Sequence, residues 1–282
     1  VTETVLISQP ERSNRRQAVE VWARRDAGRV ISVISPKGGQ GKTTVASNLA
    51  IGLARTAPGG VVLIDADAQF GDVEAVFALT PAHTLPDIVA GSATGDSLVL
   101  KALLTPHPSG IFVVCAAASP ADGDAVTGEQ LGGLIRHLAS IFRYVVIDTT
   151  PGLGEHALTA IEFSTDAIVV ASPSVSTLLA VRKALALLKA VNLVPHTLHL
   201  VLNLADSAVG LDQRSVVALA GAPVSITIPR SSIIALATNR GTPILAEGSR
   251  DPAAKAFGHL VAKVSGVPYS SGTRSAQKQG RK

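Results

Sequence analysis

Two lysines, Lys37 and Lys42, bracket three glycines and a glutamine in the stretch SPKGGQGKTTVASNLA, residues 35–50. Its Gly41-Lys42-Thr43 is the ending of a phosphate-binding loop. Backbone N–H groups from Gly38, Gly39, Gln40, Gly41, Lys42 and Thr43 wrap an anion in such a loop, and the following helix N-terminus adds partial positive charge. Lys42 is then the counter-charge for β- and γ-phosphates, and the Thr43 hydroxyl a ligand for Mg2+. Thr44 is placed to reach the α-phosphate. The standard pattern is G-x-x-x-x-G-K-[ST], and this sequence departs from it. Pro36 stands where the first glycine belongs, and Lys37 is an additional cation. The bland reading, a glycine turn with a chance Gly-Lys-Thr, fails on context: RVISVIS before the loop reads as a strand, and TTVASNLAIGLART after it as a helix.

Three carboxylates suit the same chemistry. VVLIDADAQFGD ends a strand with Asp65 and Asp67, two residues apart and so on one face of an extended chain. YVVIDTTPGLG ends another with Asp148 ahead of a Gly/Pro loop. Acids at the carboxyl ends of parallel strands meet a ligand in the crevice beside a phosphate loop. Asp148 is the candidate for the Mg2+ water shell, Asp67 for orienting an attacking water, and Asp65 for a place nearer the metal. Any one of them alone reads equally as a loop acid capping a helix.

Weaker matches do not survive their context. GLGEHA (152–157) resembles a dinucleotide fingerprint, but Thr149, Thr150 and Pro151 separate it from its strand, and Asp166 falls near the start of the next strand. His196 and His199 are an odd number apart on an expected strand, so they face opposite sides and do not chelate together. The segment 176–192 carries Arg182, Lys183 and Lys189 on one side with leucines elsewhere, which reads as a helix covering a sheet.

The elements that must position these groups follow from short apolar runs: 61–65, 111–117, 144–148, 167–172, 197–203 and 224–229, with helix-like segments between most of them. Continuous apolar strands alternating with helices imply an α/β fold, a mostly parallel sheet with helices on both faces. The chain has 282 residues, 46% hydrophobic, enough for a sizeable core. One cysteine rules out an intrachain disulfide and fits a reducing cytoplasm. Net charge is +4, and the excess sits at the ends: residues 1–29 hold six Arg against four acids, and the last twelve hold four basic groups and no acid. The expected organisation is a basic N-terminal extension (1–28), an ATP-hydrolysing domain (29–268) and a disordered basic tail (269–282). The ends read as solvated tails or as weak, sequence-indifferent contacts with DNA or an anionic membrane.

KGGQGKTT resembles the deviant Walker A motif, K-G-G-x-G-K-[ST], of the ParA/MinD ATPases, over about residues 29–266. The lysine at the Lys37 position is that family's signature. The resemblance implies a P-loop NTPase fold and a homodimer formed on Mg-ATP, with Lys37 reaching across to the partner's phosphates like an arginine finger. It assigns the water-orienting part to Asp67, the Mg2+ side to Asp148, a switch loop to 148–154 and reading of the adenine edge to Asn203. With the residue reading, the catalytic set is Lys37, Lys42 and Asp67 and the metal set Thr43, Asp65 and Asp148.

Within the family, DADAQFGDV (65–73), TLPDIV (84–89) and IPRSSIIALATNRGTPI (228–244) resemble the CpaE/TadZ branch of Flp/Tad pilus assembly and polar localisation. This implies pilus-assembly or positioning partners and a cytoplasmic protein recruited to the inner membrane face or a cell pole. Members of that branch mostly carry a receiver-like domain first; with about 28 residues ahead of the ATPase, that domain is expected to be absent or truncated here. Competing readings are a ParA-type DNA-partitioning ATPase, which needs a basic body where residues 30–270 are slightly acidic, and a MinD-like membrane positioner. The latter needs an amphipathic C-terminal helix, and residues 269–282 hold no Leu, Ile, Val, Phe or Trp. A nucleotide-locked scaffold with negligible turnover is the remaining alternative.

Overall fold

The computed structural model describes residues 27–92, 95–206 and 210–269. Nearly all of the basic extension (all but residues 27 and 28) and of the basic tail (all but residue 269) therefore lies outside the described residues. Tyr269, placed in the tail by sequence, is partly buried against the core, with the Arg55 guanidinium 5.2 Å from its ring.

Eight strands form one sheet: β1 (Arg29–Ile34), β2 (Val61–Ala66), β3 (Thr105–His107), β4 (Ile111–Val114), β5 (Tyr144–Thr149), β6 (Asp166–Ala171), β7 (Thr197–Ala205) and β8 (Val224–Pro229). Their order is β3-β4-β2-β5-β1-β6-β7-β8. Every pairing is parallel except β3 with β4. Sequence foresaw seven of these strands and missed β3, because Thr-Pro-His has neither a hydrophobic run nor an interior strand's donors; such a segment suits only an edge. β1, β2, β5 and β6 are buried almost throughout, as strands covered on both faces must be.

On one face lie α1 (Lys42–Ala54) and the last helix, α11 (Pro252–Ser265). Val45, Leu49 and Leu53 of α1 meet Phe257, Leu260 and Val261 of α11 in a common core. The contact is close enough that a Cβ at Gly52 would stand 2.2 Å from Val261 Cγ2. Nearly every residue of α1 is buried, which explains its lack of a polar stripe. The opposite face carries α6 (Gly128–Ile141), started by a reciprocal Thr127/Gln130 capping box, and α8 (Val175–Ala190). Arg182, Lys183 and Lys189 of α8 are exposed, while Leu178, Val181 and Leu188 cover β6 and β7.

At the amino ends of the strands, Asp166 is buried and paired with Arg29 at 2.5 Å, with the Thr165 hydroxyl donating to it at 2.7 Å. That pairing gives Asp166 a structural task. His199 is buried within β7, whereas His196 precedes the strand and is exposed. Among the described residues no helix is long and apolar enough to cross a membrane.

Candidate functional site

β1 ends at Ile34, and the next seven residues turn at the carboxyl edge of the sheet before α1 begins at Lys42. Gly39 and Gly41 have φ of +71° and +84°. These are left-handed conformations in which a side chain is strained. At Gly41 a Cβ would also lie 2.3 Å from Asn203 Nδ2, so glycine is required twice over. α1 starts with no side-chain cap and no acid in its first turn. Its leading N–H groups and positive dipole end are thus left for an external anion. Lys42 is 8% exposed, and among the described residues it has no ion-pair partner. Lys37 is partly exposed, likewise without an ion pair.

The loop is fastened from three sides. Gly152 N–H donates to the Ser35 carbonyl at 2.9 Å, which brings the 148–154 segment against the loop's start. Pro151 Cγ lies 3.7 Å from where a Gly38 Cβ would be. Asn203 Nδ2 donates to the Gln40 carbonyl at 2.8 Å, and Gln40 Oε1 accepts from Ser172 N–H at 2.8 Å. Gln40 enters the site through its side chain as well as its main chain, a role its position in the motif does not announce.

Asp65 and Asp148 are directly paired in register across β2 and β5, and both are buried. Both oxygens of Asp65 are engaged: Oδ1 accepts from Asp67 N–H at 3.1 Å and Oδ2 from Val73 N–H at 3.0 Å. Asp65 therefore shapes the loop that carries Asp67. Gly71 permits this, since a Cβ there would fall 2.2 Å from Asp65 Oδ2. Burial, and next the Asp148 charge, raise the Asp65 pKa well above the usual carboxylate value; the two N–H donors oppose that rise. Asp148 is pushed by burial up to about 7, against the pull of the Thr43 hydroxyl and the Lys42 ammonium and with a further push from Asp67 and Asp72. Its Oδ1 is buried and has no hydrogen-bond partner.

Two buried oxygens near the loop, Asp148 Oδ1 on β5 and Asn203 Oδ1 on β7, are unpartnered. Such groups cost free energy unless something completes them. A divalent cation's water shell fits the first, and a hydrogen-bond donor such as a base amine fits the second. Among the described residues no group of three or more His, Cys, Asp or Glu is placed to hold a metal ion. A cation here would draw most of its oxygens from phosphate and water, as Mg2+ does.

A parallel sheet with a glycine loop between its central strand and a buried helix, a buried lysine opening that helix, and acids on two neighbouring strand ends define a P-loop NTPase. Residues 28–204 match a family model described as an AAA domain. The septum site-determining protein MinD of Synechocystis is 30% identical over 250 residues, spanning 86% of this chain and 91% of that protein. The chain belongs to the ParA/MinD family of P-loop ATPases. Two solved structures share the fold. The ParA family ATPase of Chlorobium tepidum superposes with a TM-score of 0.78 at 22% identity, covering 83% of this chain and 99% of the other. MinD of Pyrococcus horikoshii, complexed with Mg-ADP, superposes at 0.74 with 24% identity, covering 84% and 96%.

Proposed function

We propose that this chain is a Mg-ATP-dependent ATPase that dimerises on ATP and works as a CpaE/TadZ-like positioning or assembly factor for pilus machinery. The observation that carries the nucleotide reading is the pair of buried, unpartnered oxygens beside an uncapped helix start opened by a buried lysine. Gly38 to Thr44 hold the phosphates, Lys42 neutralises them, and Asn203 Oδ1 accepts from the adenine amine. Thr43 and Asp148, with Asp65 beside them, would hold a Mg2+ ion, which would supply charge neutralisation to the phosphates. Asp67 orients the attacking water by accepting a hydrogen bond from it. Lys37, which the loop's own cradle does not need, acts on the partner subunit's phosphates.

The pilus assignment rests on the resemblance of segments 65–73, 84–89 and 228–244. Its consequence is a cytoplasmic protein recruited to the inner membrane face or a pole, with the basic termini making weak contact with DNA or anionic lipid. The similarity to a MinD over most of both chains supports a second reading, a positioner of the division site. Affinity capture from native cells, using an Asp67→Ala protein held in its ATP form, separates the two. Pilus motor and platform proteins are the expected partners; septum-site proteins or a centromere-binding protein would reassign the branch. Absence of ATP turnover by the wild-type protein with every captured partner would leave a nucleotide-locked scaffold.

A further inference from the structure

Three hydrogen bonds converge on one residue of the phosphate loop. Gln40 Nε2 donates to the Gly38 carbonyl at 3.0 Å, Gln40 Oε1 accepts from Ser172 N–H at 2.8 Å, and the Gln40 carbonyl accepts from Asn203 Nδ2 at 2.8 Å. The residue is 9% exposed, and both polar groups of its side chain are used. The partners come from separate elements: the loop itself, the residue after β6, and the end of β7. We propose that Gln40 is a positioning residue whose side chain sets the phosphate cradle in its binding shape before any nucleotide arrives and ties it to the start of α8. The inference rests on the nucleotide-binding reading above.

The argument is one of chain freedom. With glycine at 38, 39 and 41, this loop has more backbone conformations open to it than almost any other seven residues of the protein. Left alone, it would be ordered by the ligand, and the cost would appear as weaker binding. Gln40 interrupts the glycines, and its two amide groups span the freest part: one closes onto Gly38 within the loop, the other onto the neighbouring strand's outlet. The ordering is thereby completed during folding.

The same bond reaches further. The Ser172 carbonyl accepts from Ser174 N–H at 2.8 Å, and the Ser174 hydroxyl caps α8 by accepting from Thr177 N–H. A path of main-chain and amide contacts therefore runs from the cradle to the first turn of α8, where Val175 and Leu179 are exposed. Loosening Gln40 should loosen both ends of that path together.

The test compares Gln40→Ala and Gln40→Leu with the wild-type full chain, using N-methylanthraniloyl-ADP with Mg2+ in stopped flow and amide exchange on the ligand-free proteins. Leucine fills much of the same space without hydrogen bonds, so it separates packing from bonding. If the cradle is preformed in only about a tenth of the molecules once the clamp is gone, association slows about tenfold while dissociation stays within about twofold. Exchange should rise at 38–42 and at 172–178 in both variants, and the difference should close when ADP is bound. Wild-type association and exchange in Gln40→Ala would overturn the proposal, as would a Gln40→Leu protein that matches wild type. Failure of the wild-type protein to bind the ADP probe would instead remove the nucleotide-binding reading; ligand-free exchange still tests the clamp.

Discussion

The side-chain amide of Asn203 donates to the Gln40 carbonyl at 2.8 Å across 163 residues of chain, fastening the end of β7 to the middle of the phosphate loop. The amide's oxygen is left buried and unpartnered. Leu204, directly after it, adopts a left-handed φ of 56°, where β7 and β8 slip register between Leu202 and Ala205. A bulky residue rarely accepts that conformation, so the strand end is bent under strain at the point where Asn203 meets the loop. Asn203→Ala should lower the preference for ATP over GTP about tenfold, the worth of one hydrogen bond to the base. Competition binding of the two nucleotides measures it, and an unchanged preference would leave Asn203 a loop fastener only.

Lys42→Ala should weaken Mg-ATP binding by about 100-fold or more, because the cradle would gather several phosphate charges without its buried counter-charge. Isothermal calorimetry with and without Mg2+ reads this directly. Affinity within a few-fold of wild type would count against the whole site.

Lys37→Ala should bind ATP nearly as wild type does yet remain monomeric. Lys37 is partly exposed, and among the described residues its only hydrogen bond is a long one from its N–H to Ser35 Oγ at 3.4 Å. Light scattering in ATP and Mg2+ is the check. A dimer that persists would end the cross-subunit assignment.

Asp67→Ala should leave binding intact and slow hydrolysis about 100-fold, the usual contribution of a group that handles the attacking water's proton. The Asp65 carboxylate holds the Asp67 main chain and not its side chain, so the loop should keep its shape in this variant. Single-turnover release of phosphate, measured beside calorimetric affinity, distinguishes the two effects. A wild-type turnover rate would transfer the role elsewhere.

Asp148 carries a cost in the nucleotide-free protein. Its pKa is about 7 in the fold against an ordinary 3.8. Between those values the folded state keeps a proton that the unfolded state has lost, so its stabilising contribution is full below about pH 4 and is lost as pH rises through about 7. The penalty at higher pH is on the order of a few kcal/mol. Without nucleotide, the wild-type melting temperature should therefore fall between about pH 5 and pH 8, and Asp148→Asn should melt higher at pH 8 with a flatter profile. A variant whose profile parallels wild type would show that the charge is not the source.

Local pattern determined much of this protein. Seven of eight strands, the loop and its helix, and the three acids were all legible, because period, glycine spacing and strand-end position are properties of neighbouring residues. The β3 edge escaped, since a three-residue strand with a central proline leaves no periodic trace. Which strands lie side by side was decided only in three dimensions: Asp65 and Asp148 face each other because β5 inserts between β2 and β1, and their mutual repulsion follows from that order. That both Asp65 oxygens are held by N–H groups, those of Asp67 and Val73, was visible only in the folded loop. The Gln40 clamp is the clearest case. Its partners lie 132 and 163 residues away, and no spacing rule connects a glutamine in a glycine loop to the outlets of two distant strands. Sequence specifies which groups can do chemistry; burial and strand order fix which of them remain without a partner.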